Sequence, residues 1–349
     1  MICDYDQDCF GQGLKFQHSC ESGHSHGQWS WSKSPEVPCL EVKRNCSLIL
    51  NSYLTLKTEA PMVYNSGQFE MKKYLFVLSA LILFAFCGCQ KFAGDPITKD
   101  FNVPGAYTEL EVHNAFDVTV SDAVDVITIT VGENVMPKVI VEVVDNTLKI
   151  RLKTANVYGG EMKAIIPYNA NLTSVDLSGA SEFHSEYGLY GEKVEVELSG
   201  ASNFYCDIDA DEVDISISGA SNFFGDIWAD QIDVDLSGGS NINGNVAAND
   251  LDLELSGASN AKLLGQVGML KVDLTGASNI VKQIVENRYG LVCDQCEGSI
   301  TGASNAYIHC DGNIRVSLSG ASDLHYTGDA NTTGSTTSGA SNIIRDVLP

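Results

Sequence analysis

Basic residues are scarce in this chain, and arginine is scarcer still. Only 21 of its 349 residues are Lys or Arg, against 45 Asp or Glu, which leaves a net charge of −24. From Gln90 onward 14 basic residues face 37 acidic ones, and the arginines there are Arg151, Arg288, Arg315 and Arg345. A surface of this sign repels a phosphate backbone, so nucleic acid is excluded as a partner, while cations and basic partners are favoured. It also lacks the clustered Lys and Arg with which a lyase would handle acidic sugars. The Ser-Gly-Ala-Ser motif that recurs in the chain is not the Gly-x-Ser-x-Gly elbow that presents a nucleophile. Cys293-x-x-Cys296 has no second pair to complete a zinc site. The main apolar run, Tyr74–Phe86, is about 13 residues long, short of the roughly 20 that span a bilayer.

The chain divides by composition. Residues 1–70 hold Cys3, Cys9, Cys20, Cys39 and Cys46, three histidines and no sustained periodicity. They read as an upstream segment outside the mature protein, because an export signal follows. Met71-Lys72-Lys73, the apolar run and Cys87-Gly88-Cys89 give a basic start, a short hydrophobic core and small residues for cleavage over 71–89. A signal-anchor with 1–70 in the cytoplasm is the alternative. Phe86-Cys87-Gly88-Cys89 resembles a bacterial lipobox, with Cys89 as the lipidated residue because Gly88 precedes it. A lipid there, with 90–100 as a tether, would hold a folded domain beside a membrane. Simple cleavage and secretion is the other outcome.

The remainder is patterned for strands. From 101 to 172 apolar residues alternate with polar ones, as in Leu110 and Val112, Phe116 to Val120, Ile127 to Val131, Val139 to Val143 and Leu148 to Leu152. Ser121-Asp122, Gly132-Glu133-Asn134, Asp145-Asn146 and Gly159-Gly160 read as turns. From 173 to 349 one short motif recurs. Ser-Gly-Ala-Ser, usually followed by Asn, begins at Ser178, Ser199, Ser218, Ser237, Ser256, Thr275, Thr301, Ser319 and Ser338. Most steps are 18 or 19 residues, and each motif follows an alternating strand such as Val194–Leu198 or Val213–Ile217. One such unit cannot bury its apolar face alone, but stacked units can. The expected fold is all-β: a parallel β-helix of repeats of about 19 residues, preceded by an amino-terminal β portion.

That register predicts columns of identical residues. Asn203, Asn222, Asn241, Asn260, Asn279, Asn305 and Asn342 would form a ladder at one bend. Two outward columns would be acidic. Glu195, Asp214, Asp233 and Asp252 form one, ending at Lys271; Asp176, Glu197, Asp235, Glu254 and Asp273 form the other, interrupted by Ser216. Carboxylates one strand apart repel by roughly 0.8 kcal/mol even at water-like dielectric. The columns serve either as a solvated, aggregation-resistant face or as a surface for Ca²⁺ or a cationic partner.

Asn114-Ala-Phe116-Asp-Val118, Gly132-Glu-Asn134 and Asn146-Thr-Leu148-Lys-Ile150, followed by the Ser-Gly-Ala-Ser array, resemble the putative auto-transporter adhesin, head-GIN domain family. The resemblance covers about 101–345. It implies an exported β-helix-like protein of the bacterial cell envelope, anchored by lipid at the outer membrane, that binds an unknown glycan or protein and brings no catalytic residues or cofactor. A structural envelope lipoprotein and a glycan-acting β-helix enzyme are the alternatives. Gly239 for Ala, and Glu182 and Asp323 for Asn, depart from the repeat. So does the long step from Gly276 to Gly302, an insert that is expected to carry Cys293 and Cys296. These cysteines, with Cys206 and Cys310, read as small buried residues or one local disulfide. His184 and His325 read as surface histidines without acid partners. Tyr187, Tyr190, Tyr205, Phe223, Phe224, Trp228 and Tyr326 offer either a sugar-stacking strip or packing.

Overall fold

The structure, a computed structural model, describes residues 93–102, 105–154 and 160–348. The upstream and export segments, Cys89 and Gly159 lie outside the described residues. The regular structure of the described residues is all strand but for one 3₁₀ turn at Met136–Lys138. From Ser174 it winds in parallel coils of about 19 residues, a β-solenoid.

The stacking follows from the alternation. Val194, Val213, Ile232, Leu251, Leu270, Cys296 and Ile314 lie in one continuous register, and all are buried. Parallel neighbours sit roughly 4.8 Å apart, so each aliphatic side chain packs on its counterpart one coil away. Phe183, Phe204 and Phe223 extend the same logic after the bend, as an interior stack with ring centroids 5.3 and 5.0 Å apart.

The bend is built from the repeated motif. Its nine glycines all have φ between +74° and +84°, a region that L side chains resist. All but the last, Gly339, then accept at the carbonyl a hydrogen bond from the residue after glycine one coil on, as in Ala220 N–H to Gly200 O (2.8 Å) and Ala258 N–H to Gly238 O (2.7 Å). The last serine of the motif is buried, and its hydroxyl closes the turn. Ser202 Oγ donates to Ser199 O at 2.8 Å and Ser240 Oγ to Ser237 O at 2.7 Å.

The amino-terminal portion is not a separate layer. Its strands are β1 (Pro96–Phe101), β2 (Glu109–Val112), β3 (Asp117–Ser121), β4 (Ile127–Gly132), β5 (Val139–Val144), β6 (Thr147–Leu152) and β7 (Lys163–Pro167). The first repeat follows as β8 (Ser174–Leu177) and β9 (Glu182–His184). Strand β2 pairs in parallel with β6 on one side and β8 on the other, and β3 likewise lies between β7 and β9. Stacking order therefore departs from chain order: the β6–β7 layer, later in sequence, lies outside the β2–β3 layer. At this first bend Asn114 and Ala115 take φ of +70° and +66° in place of the motif glycine. The end is finished by antiparallel strands, β1 on β4, β4 on β7 and β5 on β6. The stretch read as a tether thus already contains β1. Antiparallel strands at a solenoid end cover an edge that would otherwise recruit another strand.

The long step is a local insertion, though not where the sequence suggested. Ile284–Val285 and Arg288–Tyr289 form a two-stranded hairpin turned by Glu286 and Asn287, both at positive φ. Register then resumes, with Gly265 opposite Leu291. Cys293 and Cys296 consequently lie outside the insert, on the regular strand Leu291–Ile300, facing Val267 and Leu270, and Cys310 is opposite Cys293. Cys206, Cys293, Cys296 and Cys310 are buried free thiols. Burial pushes the Cys206 thiol up to about 12, the behaviour of a packing residue and not of a nucleophile.

Gly238 and its neighbour Gly239 test the bend. A Cβ at Gly238 (φ +78°) would lie 2.5 Å from the Gly219 carbonyl oxygen. Gly238→Ala should therefore cost about 2–4 kcal/mol in urea unfolding. At Gly239 the same addition finds only Gly219 O at 3.8 Å. Gly239→Ala should be neutral or stabilise by about 0.4–1 kcal/mol, through a less flexible unfolded chain. Equal losses in both variants would contradict this account.

Candidate functional site: the acidic columns and the amino-terminal seam

The outward columns are in register. Glu195, Asp214, Asp233, Asp252 and Lys271 align, and the line continues to Glu297 and Arg315. Its charge is met within the chain. Lys193 lies 2.5 Å from Asp214, 2.9 Å from Glu212 and 3.3 Å from Glu195, and these carboxylates raise its amine well above the usual lysine range. Lys271 Nζ is 2.5 Å from Asp252 Oδ2, while Asp252 Oδ1 is buried without a hydrogen-bond partner.

The second column is supplied differently. Lys149, Glu111, Asp176, Glu197, Ser216, Asp235, Glu254 and Asp273 follow one another, then Ser299 and Ser317. Basic side chains meet its foot: Glu111 pairs with Lys149 and with His113 Nε2 at 2.7 Å. Burial alone would raise the Glu111 carboxyl, but its Lys149 and His113 hydrogen bonds lower it. Asp176 is raised, first by burial and then by Glu197 and Glu111 against the pull of His113. Around Asp176, Glu197, Ser216 and Asp235 runs a shallow surface cleft bordered by Ser199, Ser218 and Ser237.

Along the bend the asparagines hydrogen-bond in one direction. Asn222 Nδ2 donates to Asn203 Oδ1 (2.9 Å), Asn241 to Asn222 (2.8 Å), Asn260 to Asn241 (3.0 Å), Asn279 to Asn260 and Asn305 to Asn279 (both 3.1 Å). The two departures explain the ends of the runs. Asn203 donates to the Glu182 carboxylate at 3.1 Å, and Asn342 donates to Asp323 at 2.8 Å. A carboxylate accepts but cannot donate, so it can start a run but cannot continue one. Asp323 is paired in backbone register with Asn305 and ends the upstream run there.

Where β3 meets β9, non-repeating residues gather. Asp117 is in register with Glu182 and so faces it across adjacent strands. His184 Nε2 lies 3.3 Å from Glu182 Oε2 and 3.9 Å from Asp117 Oδ1. One ligand atom from each of the three falls within 4.8 Å of the others, a donor set able to hold a metal ion. Beside it His113 bridges Glu111 and the Ser178 hydroxyl. His184 is therefore not a partnerless surface histidine. Nor is His325, whose Nδ1 is 2.9 Å from Asp346 Oδ2, a carboxylate that also accepts from Tyr289 of the inserted hairpin. Glu182 lies only two positions from His184, within reach on one strand face; Asp117, 65 positions before Glu182, is the partner that sequence spacing could not reveal.

The aromatic strip resolves into parts. Phe223 is buried in the core stack and Tyr326 is nearly so. Tyr187 packs against Tyr168. Tyr205 and Phe224 stack at 4.9 Å and 5°, with His184 on Tyr205 at 4.5 Å and 6°. Rings stacked along the coils present edges outward, so they do not offer a sugar the free ring face it needs. Tyr190 and Trp228 are exposed on their own.

Comparison with known proteins places this architecture. The family model "Putative auto-transporter adhesin, head GIN domain" matches residues 106–226 and 223–330. Among curated proteins, no sequence matches the chain. A crystal structure of a putative adhesin from Parabacteroides distasonis has 22% identity and a TM-score of 0.50, covering 73% of this chain and 95% of that one. A putative adhesin from Parabacteroides merdae has 19% identity and a TM-score of 0.51, with 72% and 97% covered. A putative lipid binding protein from Parabacteroides distasonis has 18% identity and a TM-score of 0.52, with the same coverage. At these identities the likeness is one of fold.

Two substitutions probe the site. Asp323→Asn supplies the missing donor between Asn305 and Asn342, and should raise stability by about 0.5–1.5 kcal/mol in chemical denaturation. An unchanged midpoint would mean that the ladder bonds contribute nothing. Asp176, with its carboxyl raised in the folded state, stabilises the fold when protonated; that contribution fades as pH rises from the ordinary carboxylate value through the raised one. Asp176→Asn should therefore raise Tm at neutral pH, with the gain shrinking on acidification. A gain that grows at low pH would reverse the assignment.

Proposed function

Because the chain belongs to the head GIN domain family of putative auto-transporter adhesins, we propose that it is an exported cell-envelope protein, lipid-anchored through Cys89, whose solenoid is a binding scaffold. The observation that carries this reading is the pairing of an export-type segment ending in Cys87-Gly88-Cys89 with a stiff stack of near-identical coils. Repetition suits a long adhesive or load-bearing surface, since every coil offers the same side chains at one strand's spacing. It does not single out one serine for catalysis. The second acidic column is the proposed contact face, for a basic protein or for Ca²⁺ that relieves its repulsion.

One constellation favours a second reading. Ser178, His113 and Glu111 have the residue types and order of a nucleophile, base and orienting acid, and Lys149 holds the acid. Hydrolysis of a model ester that disappears in Ser178→Ala would support catalysis there. Equal background rates in both proteins would leave the row a structural clasp.

Anchoring is tested by fractionation of cells producing the full chain. The lipid-modified protein should sediment with membranes and carry a diacylglyceryl group by mass spectrometry, and Cys89→Ser should shift it to the soluble fraction. Membrane retention of Cys89→Ser would sink the anchor, and unchanged attachment of a deletion strain would favour a purely structural envelope role.

A further inference from the structure

The geometry points to a divalent-metal site of the zinc type at the seam between β3 and β9, held by Asp117, Glu182 and His184. It is distinct from the acidic columns, and it does not depend on the proposed binding role.

Three features carry it. The first is the donor set: one imidazole and two carboxylates, from strands of two different coils, with their ligand atoms within 4.8 Å of one another. Nitrogen with oxygen donors suits zinc and its borderline neighbours more than calcium, which takes oxygen. Three protein ligands leave a fourth position for water.

The second is the position in the bend column. Coil after coil, this position is asparagine, and each amide donates to the one before. At the seam the column becomes Asp117 beside Glu182, two acceptors in register. Among the described residues no hydrogen-bond donor is shared between them. His184 approaches both, and Lys163, which follows Asp117 in register, is paired at 2.5 Å with Glu161 and is attracted only secondarily by Asp117. In-register like charges are unfavourable in a sheet, and a cation between them removes that cost.

The third is support from residues that do not ligate. Asn203 Nδ2 occupies Glu182 Oε1 at 3.1 Å, leaving Oε2 turned toward His184. The His184 ring lies flat on Tyr205, which is itself stacked on Phe224. Outer contacts of this kind fix the orientation of metal ligands. A metal here would clamp β3 to β9, the junction at which stacking order leaves chain order.

The test uses the full chain, stripped with chelator, and zinc or cobalt alone as probe. Other cysteines and histidines can take zinc, so the reading is a difference between proteins. The wild type should bind one more equivalent of Zn²⁺ than Asp117→Asn/His184→Gln, and its Tm should rise with zinc by several degrees more. Bound Co²⁺ at this extra site should show visible bands without a sulfur-to-cobalt charge-transfer band. Glu182→Asn guards against misfolding: it extends the amide ladder, so its metal-free Tm should hold or rise while the extra equivalent is lost. Equal zinc stoichiometry in wild type and variants would overturn the site. So would a cobalt spectrum dominated by thiolate for the extra equivalent.

Discussion

One hydrogen bond, repeated, governs this molecule: the carbonyl of a bend glycine accepting the amide of the residue after the glycine one coil on, from Gly179 through Gly320. It needs a positive φ to aim the carbonyl along the stack, and it needs the glycine above to have no side chain, since a Cβ there would meet that oxygen at 2.4–2.6 Å. Both requirements fall on one residue at the seven inner bends; Gly179 has Asn114 beside it in place of a glycine, and Gly339 closes the series. With the bend fixed, the strand before it has one register. That register sends valine, isoleucine and leucine inward and acids outward. The asparagine after the motif is then set one strand spacing from its counterparts, close enough for amide to meet amide.

Periodicity is also why so much could be read from the sequence alone. A column of asparagines or aspartates is visible as a letter recurring at a constant step, so the solenoid, the ladder and both acidic lines were legible. What was hidden lacked a period. The β6–β7 layer stacks outside β2–β3 although it comes later in the chain, and alternation gives a strand its faces but not its neighbours. The inserted hairpin shifted the apparent place of Cys293 and Cys296, because a long step shows how many residues were added but not where. Of the two acids at His184, Glu182 lies two positions away on the same strand, but Asp117 belongs to a strand interposed from far upstream.

The breaks in the pattern are physically consistent with one another. Glu182 and Asp323 each replace a residue that donates and accepts with one that only accepts, and each begins a run of amides. Near the first of these breaks stand His113, Asp117, Ser178 and His184. Near the second stand His309, His325 and Asp346, joined to Tyr289 of the insert. A repeat array can vary least in its middle, where every residue must suit two neighbours of the same kind. Its ends have one unlike neighbour, and side chains with individual chemistry collect there.

The middle of the array is left with charge. The first acidic line answers its own repulsion, through Lys193 below, Lys271 within and Arg315 further along. Exposed pairs of this kind contribute little to stability individually, but they reduce what the line offers to a partner. The second line has Lys149 and His113 only at its foot and neutral Ser299 and Ser317 at its far end. Between them Glu197, Asp235, Glu254 and Asp273 face outward, with Ser216 as the one uncharged gap. Two lines with the same origin in the repeat thus differ in how much of their charge is answered within the chain, and that difference is why the second is the one proposed as a contact face.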